Sequence, residues 1–193
     1  MLKIGLTGSL AMGKTTTAQI FMENGIPVHD SDACVHDLYK AEAVKLIADL
    51  DPLLVKAGVV DRIAISARIA SDPLFLNRLE AIVHPLVDQK RYEFLEEAKH
   101  EGAPIVVLDV PLLFETRQTK NVDLILVVAT DEQTQRVRAL KRPGMTLEKF
   151  NLLLSRQVPN SEKTSRSHWV LDTSFSLDRT RADVKTFINA LSI

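Results

Sequence analysis

Five short apolar segments mark the chain, and the stretches between them repeat apolar residues at helical spacing. Leu2-Lys3-Ile4-Gly5-Leu6-Thr7 is the first and Ile26-Pro27-Val28-His29 the second. Ile105-Val106-Val107-Leu108-Asp109, Asp123-Leu124-Ile125-Leu126-Val127-Val128 and His168-Trp169-Val170-Leu171-Asp172 follow. The third and fourth run apolar without alternation, the pattern of strands buried on both faces of a parallel sheet. After the first strand, Thr15 to Glu23 reads as a helix that Asn24-Gly25 terminates. A strand, a helix and another strand in this order predict an α/β domain.

Between 33 and 100 the pattern is almost wholly helical. Val35, Leu38, Val44, Ile47 and Leu50, then Leu74, Leu79, Ile82 and Val83, recur at helix-like intervals. Turn signals at Asp51-Pro52, Ala57-Gly58 and Ser71-Asp72-Pro73 divide the region. His84 precedes Pro85, which restricts it to extended backbone and predicts a break between helices. A doubly wound sheet needs one crossover helix here, so the excess predicts an inserted helical subdomain.

Further on, Gln135, Arg138 and Arg142 share one face of a helix that Pro143-Gly144 ends. Thr146 can cap a second helix through Phe150, Leu153 and Leu154 to Arg156-Gln157. Two helices around a short, arginine-bearing turn have the layout of a lid. Ser176 can cap a last helix striped by Leu177, Val184, Phe187, Ile188 and Leu191, which reads as scaffold.

Composition narrows the class. The 193 residues suffice for one α/β domain with insertions. Lys and Arg total 24 against 25 Asp and Glu, a net charge of −1, which favours a small anionic ligand over nucleic acid or a membrane surface. The first strand begins at residue 2, leaving no room for a signal peptide, and no apolar run is long enough to span a bilayer, so a cytoplasmic location is expected. Cys34 is the sole cysteine and the five histidines lack metal-site pairing, so no metal beyond Mg²⁺ with a nucleotide is expected.

The sharpest signal is Gly8-Ser9-Leu10-Ala11-Met12-Gly13-Lys14-Thr15, which meets G-x-x-x-x-G-K-[ST] at every fixed position, between a strand and a helix. Gly8 and Gly13 permit a sharp turn and close approach to phosphates. Successive N–H groups, from Ala11 and Met12 through Thr16, form an anion nest at a helix N-terminus. Lys14 aims a full charge at the β- and γ-phosphates, and Thr15 offers Mg²⁺ a hydroxyl. Nucleotide binding follows first, and phosphoryl transfer second.

Other candidates stand at strand ends, where open parallel sheets bind ligands. Asp30-Ser31-Asp32 could supply the acceptor for a substrate hydroxyl proton; equally, Ser31 or Asp32 could only cap a helix beginning at Ala33. Asp109, ending the third strand, suits a carboxylate that helps hold Mg²⁺ and its waters. Val110-Pro111-Leu112-Leu113-Phe114-Glu115 offers Leu112 and Leu113 as an acceptor wall. Arg62 could pair with a substrate phosphate. In the lid, Arg142 is the first choice for charge on the transferring group and Arg138 the second, against a solvated basic face.

Assembled, these residues resemble the dephospho-CoA kinase family, nearly end to end. The resemblance rests on Thr7-Gly8 through Lys14-Thr15, Asp30-Ser31-Asp32 with Leu38-Tyr39, and Val60-Asp61-Arg62. Leu79-Glu80-Ala81-Ile82-Val83-His84-Pro85, Asp109-Val110-Pro111-Leu112-Leu113-Phe114-Glu115, and Gln135 through Arg142 complete it. It implies a P-loop kinase fold, with a five-stranded parallel sheet flanked by helices, a helical acceptor-binding insertion and a helical lid. The corresponding parts are a nucleotide-binding core of 1–32, 101–135 and 158–193, an acceptor domain of 33–100 and a lid of 136–157. The implied reaction moves the γ-phosphoryl group of ATP to the ribose 3′-hydroxyl of dephospho-CoA, with Mg²⁺, in a monomer or weak homo-oligomer. By the same resemblance Asp32 is the base, Lys14 and Thr15 serve the phosphates and Mg²⁺, Arg142 is the lid arginine, and Arg62 and His84 contact the acceptor.

The chain departs from the family at three places. Ser9 and Ala11 replace loop glycines, and a Cβ at Ala11 is costly if that residue takes positive φ. Ser167-His168 stands where an Ala-Asp pair is usual, and Ser31 replaces alanine. Rival readings are a nucleoside monophosphate or shikimate-type kinase, which would not need so large an insertion, and a GTP-binding module, whose Asn-Lys-x-Asp is missing: Lys120-Asn121-Val122-Asp123 has the wrong order. A catalytically dead CoA-binding protein is the third, opposed by intact Lys14, Thr15, Asp32 and Asp109.

Overall fold

Seven strands form among the described residues: β1 (Leu2–Thr7), β2 (Val28–Asp30), β3 (Val55–Lys56), β4 (Val59–Val60), β5 (Ile105–Asp109), β6 (Leu124–Ala129) and β7 (Trp169–Asp172). The computed structural model describes residues 1–191. The five strands expected from the apolar runs make one parallel sheet in the order β2-β5-β1-β6-β7. β1 lies between β5, with Leu2 opposite Ile105, and β6, with Ile4 opposite Leu124. Every residue of β5 is buried, which is why its sequence shows no alternation.

The helices are α1 (Lys14–Glu23), α2 (Ser31–Leu38), α3 (Ala43–Leu50), α4 (Arg62–Ser71), α5 (Pro73–His100), α6 (Glu132–Leu140), α7 (Leu147–Ser155), α8 (Asn160–Ser165) and α9 (Leu177–Ala190). Two compact units result, Met1–His29 with the chain from Ala98 on, and Asp30–Glu97.

In the first unit, α1 and α9 cover the sheet. Ile20 and Phe21 of α1 and Val184 and Phe187 of α9 pack with Ile4, Leu6 and Leu126 in one cluster. Each such fully buried side chain contributes about 1.5–3 kcal/mol. The Phe187 ring meets Phe21 edge-on at 6.1 Å and Trp169 at 5.2 Å, fixing α9 against the sheet. Ser176 caps α9 as expected, its Oγ accepting from Arg179 N–H, and Thr146 Oγ1 caps α7 by accepting from Lys149 N–H.

In the second unit, Leu38, Ala43, Ile47, Leu54, Val60, Ile65, Phe75, Leu79 and Val83 form the core. Four expectations are corrected there. The break at His84-Pro85 does not occur, because α5 continues through it. Pro85 removes one helical N–H donor, to the carbonyl of Ala81, but both residues face solvent. Buried Phe75, Leu79 and Val83 on one side and Leu86 and Val87 on the other hold the helix in line.

The turn at Ala57-Gly58 joins strands, not helices. β3 and β4 pair antiparallel, Val55 with Val60 and Lys56 with Val59. Ala57 at φ 51° and Gly58 at φ 77° give the left-handed pair that a two-residue hairpin requires. Leu74, expected on an apolar face, is 71% exposed, and its neighbour Phe75 fills the core.

The fourth correction concerns the cap of α2. The helix begins at Ser31, and its cap is Asp30, whose Oδ1 accepts from Asp32 N–H at 2.9 Å and Ala33 N–H at 3.0 Å.

Candidate active site

The loop from β1 to α1 takes its shape from three small residues. A Cβ on Gly8 would lie 2.5 Å from Val128 Cγ2 and 2.7 Å from the Val128 carbonyl oxygen, so only glycine lets the loop pass against β6. Gly13 is left-handed at φ 97° and forms the N-cap of α1. Ala11 is left-handed too, at φ 64°. That is the costly case for a Cβ, on the order of 1–2 kcal/mol. The methyl is offset by burial, since Ala11 packs against Ala139 of α6 and Phe150 of α7.

Helical bonding in α1 starts where Thr17 N–H donates to the Gly13 carbonyl at 3.0 Å. The N–H groups of Lys14, Thr15 and Thr16 therefore precede the ladder and stand available to an anion. Met12 N–H instead donates to the Ser9 carbonyl at 3.2 Å, closing the turn.

The loop is held from outside as well. Thr173 Oγ1, beyond β7, donates to the Met12 carbonyl at 2.7 Å. Gln135 of α6 donates from Nε2 to the Leu10 carbonyl at 2.8 Å, and Gln157, past α7, accepts from Leu10 N–H at 3.1 Å. Arg138 is committed to the same scaffold: its guanidinium donates to the Thr173 hydroxyl at 3.1 Å and to the Thr173 carbonyl at 2.7 Å. This removes Arg138, the second choice for a lid arginine, from the groups free to move. Arg142 lies in the exposed turn after α6, with no side-chain ion pair or hydrogen bond among the described residues.

Lys14 and Asp109 meet directly. Nζ is 2.6 Å from Oδ1 of a carboxylate that is 1% exposed, at the end of the strand beside β1. Thr15 and Thr16 are exposed at the first turn of α1. Beyond Asp109, Leu112 is 40% exposed whereas Leu113 is fully buried. Leu113 Cδ2 would sit 3.1 Å from a Cβ on Gly5, so Leu113 belongs to the core and not to a wall open to ligand.

Glu115 ends this segment and accepts from Val158 N–H at 2.9 Å through the same Oε1 that lies 2.8 Å from Nζ of fully buried Lys163. Burial works against ionisation of Glu115, but Lys163 and the backbone N–H groups of Glu115 and Val158 together outweigh it and hold the carboxyl below its ordinary range.

In the second unit, Asp32 sits in the first turn of α2, exposed, with no side-chain partner among the described residues. Asp30 spends its carboxylate on the cap, so the two aspartates differ in what they are free to do. Asp61 caps α4 through Ile63 N–H and Ala64 N–H and pairs with Lys56 at 2.6 Å. Arg62 is thereby the first residue of α4, exposed, its charge acting on the Tyr39 phenol, whose pKa burial nonetheless raises. His84 is exposed in the middle of α5.

The dephospho-CoA kinase family model matches residues 2–178. The chain belongs to the dephospho-CoA kinase family. A dephospho-CoA kinase of Rhizobium etli is 51% identical over 193 residues, 100% of this chain and 95% of that protein. A solved structure from Thermus thermophilus is similar at a TM-score of 0.84 and 33% identity, covering 98% of this chain and 97% of that one. Dephospho-CoA kinase from Campylobacter jejuni shares the fold at a TM-score of 0.75 and 22% identity, covering 98% and 96%. Enzymes of this family catalyse the last step of CoA biosynthesis, a phosphoryl transfer from ATP.

Sequence reasoning did not mark Lys163, gave Gln157 no role beyond ending a helix, and placed Thr173 only past the last strand, toward the expected adenine edge. Gln135 appeared in it as one of three positions on a helix face, and Glu115 as the end of a longer motif. Each acts on a residue far away in the chain, so no local spacing marks it.

Proposed function

We propose that this protein transfers the γ-phosphoryl group of ATP to the ribose 3′-hydroxyl of dephospho-CoA, giving CoA and ADP. The observation that carries the reading is the phosphate loop, with Lys14 paired to buried Asp109 at the mouth of α1, in a chain that the dephospho-CoA kinase model spans from residue 2 to 178. The 3′-oxygen forms its bond to the γ-phosphorus as the bond from that phosphorus to the bridging oxygen of ADP breaks. Asp32, uncommitted at the first turn of α2, takes the hydroxyl proton.

Backbone N–H groups of Ala11 and Gly13 through Thr16 receive the phosphates, which compete with Asp109 for Lys14. Arg142 brings a second cation from the turn of the lid, 136–157. Arg62, His84 and Leu112 contact the acceptor, for which 30–97 serves as the binding unit. Thr15 and Asp109 are hard oxygen donors of the kind Mg²⁺ takes; bound there with ATP, the ion would offset charge on the β- and γ-phosphates. The substrates are small molecules, and no helix among the described residues is long and apolar enough to cross a membrane. A cytoplasmic enzyme, monomeric or weakly self-associating and without nucleic-acid or membrane partners, completes the reading.

The test is ATP-dependent product formation with Mg²⁺ and dephospho-CoA, AMP or shikimate as separate acceptors. Phosphorylation of dephospho-CoA alone is expected. Turnover of AMP or shikimate with dephospho-CoA untouched would overturn the assignment.

A further inference from the structure

Both polar groups of the Leu10 main chain are taken by glutamines from the two legs of the lid. Gln135, on the helix leading into it, gives a hydrogen to the Leu10 carbonyl at 2.8 Å, and Gln157, on the segment leading out, receives one from the Leu10 N–H at 3.1 Å. Gln135 is 5% exposed, so its bond is shielded from water. The next residue is left-handed Ala11, whose methyl packs against Ala139 and Phe150 from the same two helices. Val158, following Gln157, is fixed in turn by Glu115 at 2.9 Å. The apex of the phosphate loop is thus docked on the lid by a polar clamp at one residue and an apolar contact at the next.

We propose that Gln135 and Gln157 are positioning residues for the nucleotide: they tie the conformation of the phosphate loop to the lid, and so set ATP affinity without touching ATP. The clamp has a polarity, since position 135 must donate and position 157 must accept. The proposal rests on ATP being the bound nucleotide, and not on the identity of the acceptor.

The test uses Gln135→Glu and Gln157→Glu in the full chain, with ATP affinity in the presence of Mg²⁺ read by calorimetry and KM for ATP and dephospho-CoA read by kinetics. Each variant adds the same charge beside Leu10, but glutamate can still accept from the Leu10 N–H, whereas at 135 it faces a carbonyl with no hydrogen to give. Gln135→Glu is expected to lose about tenfold more ATP affinity than Gln157→Glu. KM for dephospho-CoA should stay within about twofold in both, since single hydrogen bonds elsewhere are untouched. Gln135→Leu and Gln157→Leu, which break the clamp from either side without adding charge, should each weaken ATP by about five- to tenfold.

Equal losses for the two glutamate variants would overturn the proposal, as would leucine variants that melt earlier yet bind ATP like the wild type. Calorimetry with ATP needs no acceptor, so a wild type that binds ATP without forming CoA would refute the acceptor assignment and leave this comparison intact.

Discussion

The Thr173 hydroxyl donates to the Met12 carbonyl at 2.7 Å and joins the end of β7 to the phosphate loop across most of the chain. The same oxygen would lie 3.1 Å from a Cβ on Gly13, so the loop is seated closely on it. Thr173→Val keeps the shape but removes the donor to Met12 and the Oγ1 acceptor of Arg138. A buried carbonyl left unpaired costs about 1–3 kcal/mol. Urea denaturation should show that loss, and KM for ATP should rise with it.

Ala11 predicts an asymmetry between substitutions. Ala11→Gly relieves the left-handed backbone but gives up a buried methyl, two effects each on the order of 1 kcal/mol that nearly cancel. Its melting temperature and activity should stay close to the wild type. Ala11→Val sets a β-branched residue at φ 64° in a packed site, and should destabilise by more than about 2 kcal/mol. Chemical denaturation of both variants checks the contrast.

Glu115 and Lys163 predict a pH dependence. Because the folded protein holds the Glu115 carboxyl below its ordinary range, its unfolded state binds the proton more readily. The stability it contributes is therefore complete above the unfolded pKa and is lost as pH falls through the folded one. Glu115→Gln should flatten the acid limb of a stability-against-pH curve. It should also lower stability at neutral pH, by about 3–5 kcal/mol, since fully buried Lys163 would lose its counter-charge.

Asp30 and Asp32 should separate cleanly. Asp30→Ala removes the double cap of α2 and should cost about 1 kcal/mol of stability. Asp32→Ala breaks no hydrogen bond or ion pair seen in the structure, so its melting temperature should hold. Thermal melts of the two variants decide the matter.

How much of this the chain discloses depends on the range over which each feature acts. β1 was legible to the residue, Leu2 to Thr7, because a continuous apolar run beside a glycine-bounded loop has few alternatives. The hairpin of β3 and β4 was not, since strands of two residues carry no period. Pro85 misled because the rule for its neighbour describes a local cost that buried Phe75, Leu79 and Val83 outweigh. Polar α8 shows no apolar stripe, and the fact that fixes it, the burial of Lys163 against Glu115, belongs to tertiary structure.

At the site, the motif from Gly8 to Thr15 announced itself, as did the hazard of Ala11. What seats the loop did not: Gln157 and Thr173 reach Leu10 and Met12 over sequence separations of 147 and 161 residues. Arg138 and Arg142 lay on one face of the sequence pattern, yet only contacts with Thr173 show that the former is committed.

The most direct measurement is CoA formation from ATP and dephospho-CoA by the wild type beside Asp32→Asn, with ATP binding followed in both. CoA should appear with the wild type, and Asp32→Asn should lose activity by about 10²–10⁴-fold, the usual contribution of a general base, while binding ATP unchanged. ATP binding without CoA formation by the wild type, or an Asp32→Asn variant of full activity, would contradict the account.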